Sequence, residues 1–198
     1  MRQSVIVLLL LSVAGMASAQ VLEFGASGGP SFLSNRTLAV DSQFGQVDLK
    51  NGFQMAFRMT LNTYRFMGNE VGYAYNRTNL LLVADGSIHG AATHKGFYDL
   101  LVYARPEGSK IRPFIAGGGQ FSNFIFPGAS VTSGGGQMKF GLNYGFGVKT
   151  RITDKWLVRV DFRQYATPKP DFAELGATTP PQGWLKMNDI SVGFGFTL

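Results

Sequence analysis

Trp156-Leu157-Val158-Arg159-Val160-Asp161-Phe162-Arg163-Gln164-Tyr165 changes character at almost every residue. Trp156, Val158, Val160 and Phe162 share one side. Arg159, Asp161 and Arg163 share the other, with Leu157 and Tyr165. A repeat of two is the signature of a strand, whose side chains point alternately to its two faces. A helix needs apolar residues three and four apart, and no part of the chain sustains that spacing.

The same rule holds in the neighbouring segments. Phe140, Leu142, Tyr144, Phe146 and Val148 oppose Gly141, Asn143, Gly145, Gly147, Lys149 and Arg151. Phe53, Met55, Phe57, Met59 and Leu61 oppose Gln54, Ala56, Arg58, Thr60 and Asn62. At the C-terminus Ile190, Val192, Phe194, Phe196 and Leu198 oppose Asp189, Ser191, Gly193, Gly195 and Thr197. Weaker alternation marks 21–29, 69–78, 95–105 and 111–121, where Phe97, Leu101 and Tyr103 blur the polar face and Gly117-Gly118-Gly119 carries no facing information. The total is eight strands.

The connections alternate in length. Segments 30–50, 79–92, 125–136 and 167–186 are long and polar or rich in Gly and Pro. Links at 62–68, 106–110 and 153–155 are short. Long and short in turn describe an antiparallel up-and-down barrel with two different ends, both termini lying at the short-turn end.

Residues 1–19 stand apart. Arg2, an apolar run from Val5 to Val13 and Ala17-Ser18-Ala19 form a secretory signal peptide, leaving 20–198 as one barrel domain. The apolar run is too short to span a bilayer as a helix. There is no Cys, which excludes a disulfide scaffold, a thiolate metal site and a lipidated N-terminal Cys. The formal net charge is +6, or +5 once Arg2 is removed. No basic run concentrates that charge, so nucleic acid is not an expected partner.

The sign of the alternation separates a membrane barrel from a soluble one. Eight strands enclose just enough room for side chains. Five bulky apolar residues from each strand would overfill that interior. The opposite face is rich in Gly, Ala, Ser and Asn, with scattered charges that a narrow lumen can hold. The bulky set then faces lipid, with Tyr73, Tyr75, Tyr98, Tyr144 and Trp156 among the outward residues. A closed sheet pairs every backbone group there.

Several stretches resemble the small outer-membrane β-barrel family that includes the transmembrane domain of OmpA-type proteins. They are Lys110-Ile111-Arg112-Pro113-Phe114-Ile115-Ala116-Gly117-Gly118-Gly119, Tyr144-Gly145-Phe146-Gly147-Val148-Lys149, and Thr153-Asp154-Lys155-Trp156 leading into the stretch quoted first. The final Ser191-Val192-Gly193-Phe194-Gly195-Phe196-Thr197-Leu198 is similar to the C-terminal signal that the barrel-assembly machinery reads in that family. Leu198 stands where the family usually ends in an aromatic residue. The resemblance covers nearly all of the mature chain. It implies an eight-stranded transmembrane barrel in the bacterial outer membrane, with outer-membrane lipids, lipopolysaccharide and the assembly machinery as partners. A monomer is expected.

Function rests on the inward charges: Glu23, Glu70, Asp99 and Asp161 against Arg58, Arg105, Arg112, Lys149, Arg151, Arg159 and Arg163. Unpaired charge in a narrow lumen is costly, so an ion-pair network that fills the interior is expected. The alternative is a narrow anion-favouring pore, because bases outnumber acids. His89 and His94 are the only histidines. They are too few for a metal site, and no cofactor is expected. Asp85, Ser87 and His89 could serve a lipid-modifying enzyme only if loop residues were held as base and nucleophile. Asn35-Arg36-Thr37 and Asn76-Arg77-Thr78 match a glycosylation pattern by coincidence. Gly134-Gly135-Gly136 makes no phosphate cradle, and Pro168, Pro170, Pro180 and Pro181 stiffen the last long loop. The leading expectation is a structural or narrow-pore protein without catalysis. An adhesin using loops near 30–50 and 167–186 comes second, and the enzyme third.

Overall fold

The computed structural model describes residues 21–41, 45–125, 136–170 and 182–198. The leader at 1–19, Gly134, Gly135, Pro180 and Pro181 lie outside them. Among the described residues there are ten strands: β1 (Val21–Ser34), β2 (Thr37–Asp41), β3 (Gly45–Leu49), β4 (Gly52–Tyr64), β5 (Met67–Leu82), β6 (Ile88–Tyr103), β7 (Ile111–Ile125), β8 (Gln137–Arg151), β9 (Trp156–Pro168) and β10 (Trp184–Thr197). Eight of these are staves of one closed antiparallel barrel. β1 pairs with β4, pairing then runs in order from β4 to β10, and β10 returns to β1. No helix occurs among the described residues. Both described chain ends lie at one rim, where Glu23 sits opposite Thr197.

Alternation decides the two faces as the residues dictate. Phe57, Phe140, Phe146 and Phe194 point outward, each 61–72% exposed, and Trp156, Val160, Val192 and Ile115 join them. In water so large an apolar surface would be an aggregation site. In a bilayer it is the surface that matches the solvent, and the closed ladder leaves no sheet edge open to hydrocarbon. Tyr64, Phe66 and Trp156 ring the short-turn rim, and Phe32, Phe53 and Trp184 the other. Such girdles suit the interfacial depth, where an aromatic ring is amphipathic.

The short-turn end follows the expected pattern, with links at 65–66, 104–110 and 152–155. The other end does not. β5 and β6 stay paired as far as Leu81 and Ile88, so most of 79–92 is ladder rather than loop. A turn at 83–87 closes it, with Gly86 at φ +73° donating its N–H to the Leu82 carbonyl at 2.9 Å. Segment 30–50 also departs from a plain loop. β1 runs to Ser34, and β2 and β3 form a hairpin whose second strand pairs with the upper part of β5 through Val47–Leu82 and Leu49–Leu80. The hairpin thus continues the β1–β4 ladder beyond a break at 50–51. Leu38, Val47 and Leu49 turn inward from it and are buried.

Candidate functional site

The lumen is filled in layers. Counted from the short-turn end, the first holds Glu23, Arg112, Lys149, Tyr103 and Asn62. Lys149 donates to Glu23 and, at 2.9 Å, to the Tyr103 hydroxyl. Asn62 donates to Glu23 at 2.9 Å. The Arg112 guanidinium lies over the Tyr103 ring, 3.6 Å from its centroid, and pairs with Glu107. Arg151, half-buried at the rim, reaches Glu107 at 3.1 Å.

The second layer centres on Glu70, which is fully buried. Its Oε2 accepts from Arg159 Nη1 at 2.5 Å and Thr60 Oγ1 at 2.8 Å. Its Oε1 accepts from Arg163 Nη2 at 2.9 Å and Arg159 Nη2 at 3.2 Å. Four donors saturate the carboxylate's lone pairs. Arg159 also donates through Nε and Nη2 to Asp161, at 3.0 and 2.8 Å, and Ser191 donates to the same carboxylate. Arg163 donates to Asp99 and, at 3.2 Å, to Asn143. Arg58 lies 3.7 Å from both Glu70 and Asp161 and donates to Ser27. Three guanidiniums thus face three carboxylates, and the layer is neutral. Its positions follow from β9 placing Arg159, Asp161 and Arg163 two residues apart on one face. Gly145 and Gly147 on β8 give those side chains room. A Cβ at Gly147 would stand 2.6 Å from Asp161 Cβ and 2.7 Å from Phe114 Cζ.

The third layer is a single ion pair. Lys95 donates to Asp189 at 2.6 Å and lies 3.8 Å from the centroid of the Tyr165 ring. Ser31 and Asn76 bond the other Asp189 oxygen at 2.5 and 3.3 Å. Above it the interior turns apolar: Leu38, Val47, Leu49, Leu80, Phe124, Leu185 and Met187 meet across the mouth. A cavity of about 20 Å³ touches Glu23, Arg58, Thr60, Lys149 and Arg159. That is room for one water molecule.

Nine of the eleven inward charges named from the sequence are buried inside: Glu23, Arg58, Glu70, Asp99, Arg112, Lys149, Arg159, Asp161 and Arg163. Arg151 stands at the rim. Arg105 is a correction. It lies exposed in the 104–110 turn, because β6 ends at Tyr103 and the inward alternation ends with it. With Arg105 outside and the middle layer neutral, the expected excess of base is confined to the short-turn rim. The inward charges named from the sequence do not include Lys95, Glu107 or Asp189, although Asp189 already stands on the small-residue face of the last strand. Lys95 and Asp99 share a face of β6, and that parity could have found the first of them. Phe97 and Tyr103, which blur the polar face in the sequence, lie under Arg58 and Arg112, and Phe114 lies under Arg159.

Asp85, Ser87 and His89 do not form a nucleophile–base arrangement: no hydrogen bond joins Ser87 to His89 among the described residues. Asp85 accepts from the Ser87 backbone N–H at 2.8 Å, which closes its own turn and holds its carboxyl below the usual range. No metal-binding group of His and carboxylates occurs among the described residues. Asn76 is buried against Ser31 and Asp189, where no glycan could attach.

The chain matches the outer membrane protein beta-barrel domain over residues 5–197. It belongs to that family. This outer-membrane barrel is similar in fold to Neisserial surface protein A (NspA), with a TM-score of 0.58 at 11% identity, covering 90% of this chain and 97% of that one. It is also similar to OprG from Pseudomonas aeruginosa, with a TM-score of 0.56 at 16% identity and coverage of 90% and 95%. The N-terminal beta-barrel domain of Pseudomonas aeruginosa OprF gives 0.52 at 13% identity, covering 90% and 97%. No curated protein matches the chain. At these identities the likeness is one of fold. Together the family and the fold place the barrel in the bacterial outer membrane.

Proposed function

We propose that this protein is a closed, non-catalytic structural barrel whose lumen is a plug rather than a pore. The observation that carries this reading is the neutral layer around Glu70, stacked between two further polar layers under an apolar lid. A conducting pore needs continuous water and sites an ion can leave. Here each mid-lumen carboxylate is held by guanidinium, and the cavity beside them has room for one water. Planar-bilayer recording tests it: the folded protein should give no discrete openings at neutral pH. Regular unitary steps would overturn the plug and favour the pore.

A second reading has one observation in its favour. At the long-loop end Val40 is 71% exposed and Ile88 58% exposed, beside exposed Val83. With the termini in the periplasm, these apolar tips face outside the cell and could contact a partner surface. Cells displaying Val40→Asp/Ile88→Asp should then lose adhesion to host cells or matrix relative to wild type. Equal adhesion would end this reading and leave the plug untouched.

A further inference from the structure

The outer wall of β5–β8 is not uniform. Register aligns Tyr73, Gly96, Phe121 and Phe140 in one row across the four strands. The next row toward the short-turn end is Val71, Tyr98, Gly119 and Leu142. These rows bound a groove of about 650 Å³ walled by Tyr73, Tyr98, Phe121 and Phe140. Phe121 lies over Gly96, where a Cβ would come within 2.3 Å of its ring. Beside it the wall is bare: nothing stands within 4 Å of where a Cβ at Gly119 would be. The notch therefore has room for an added chain.

The two rows toward the long-loop end bring polar groups to this wall. One is Tyr75, His94, Asn123 and Met138; the other holds Arg77 with Ala92 and Ile125. His94 Nδ1 and the Tyr73 hydroxyl share a hydrogen bond at 2.5 Å. Arg77 is exposed and makes no ion pair among the described residues. Among the outward positions of the eight staves the charged residues are Arg77 and Lys186, both cations and both at the long-loop end. Only Arg77 stands over the groove. On β5 it is four residues beyond Tyr73, about 13 Å along the strand. A cation above an apolar, aromatic-walled notch is complementary to a phosphate above an acyl chain.

We infer that this wall holds one phosphorylated, multiply acylated lipid of the outer leaflet. Arg77 binds a phosphate, His94 and Asn123 offer hydrogen bonds beside it, and one acyl chain crosses Tyr73 and Phe121 into the notch at Gly119. The inference rests on the outer-membrane reading with the termini in the periplasm, which puts Arg77 at outer-leaflet depth.

Native mass spectrometry of detergent-folded protein with added lipid A or phosphatidylglycerol tests it. Wild type should retain one lipid A and prefer it over phosphatidylglycerol. Gly119→Leu, which fills the notch, and Arg77→Gln should each weaken retention by about tenfold, the worth of one such contact. Lys186→Gln, on a distant stave, should not. Equal retention by all variants, equal binding of phosphatidylglycerol, or a protein dimer in place of the lipid would overturn the site. A heat-modifiable gel shift on every variant keeps folding separate. Loss of that shift, or absence from outer-membrane fractions, would count against the barrel reading itself.

Discussion

At the scale of the residue, Glu70 holds the interior together. Its carboxylate takes two hydrogen bonds from Arg159 and one each from Arg163 and Thr60, with Arg58 at 3.7 Å. Removing it leaves guanidinium charge in a dry interior, whereas the intact pair only offsets its own desolvation. Glu70→Ala should therefore lower stability by about 3–5 kcal/mol, read as a shift in the urea midpoint of the vesicle-folded barrel. Arg105→Ala should move that midpoint by less than about 0.5 kcal/mol, since the side chain is exposed in a turn. Gly147→Ala should cost about 1–3 kcal/mol, because its methyl collides with Asp161 and Phe114. Parity tells which face a charge within a stave takes, and that is readable from the chain alone; where a stave ends, as at Arg105, parity no longer applies. Which charges meet depends on strand register around the barrel. The Lys95–Asp189 pair joins residues 94 apart in sequence, and local pattern carries no trace of such a partner.

At the scale of the element, the β2–β3 hairpin is the weakest part of the wall. Each strand has five residues. β3 pairs with β5 through three register pairs, where β4 pairs through ten. What holds it is burial of Leu38, Val47 and Leu49 over the lumen. Leu49→Asp should release it: its amides should exchange with solvent quickly while those of β4 and β5 stay protected. Unchanged protection of 37–49 would contradict this account. The hairpin was not read from the sequence because its strands are short and Lys50-Asn51 interrupts the alternation. For the eight staves the opposite holds. Each stave runs 13 to 16 residues, and alternation over nine or more of them suffices even where glycines blur β7.

At the scale of the whole molecule, the bulky residues face out and the small and charged ones in, an inversion already visible in the order Phe-Gly-Leu-Asn-Tyr-Gly-Phe-Gly of 140–147. The mature chain should begin near Gln20, and intact-mass measurement on protein from outer membranes checks that cut; retention of residues 1–19 would refute it. Closure has a further consequence for how the molecule is made. The seam joins the first stave to the last, with Ser31 on β1 bonded to Asp189 on β10 across 158 residues, and across the lumen Lys149 on β8 reaches back 126 residues to Glu23. Contacts this distant must await loop closure, so folding is expected to be slow, with half-built sheets that expose two unpaired edges. A ribosome releases Glu23 long before Asp189 exists. The sheet therefore stays open until its final strand arrives, and the charges that lock the finished barrel can serve as the latch that ends the wait.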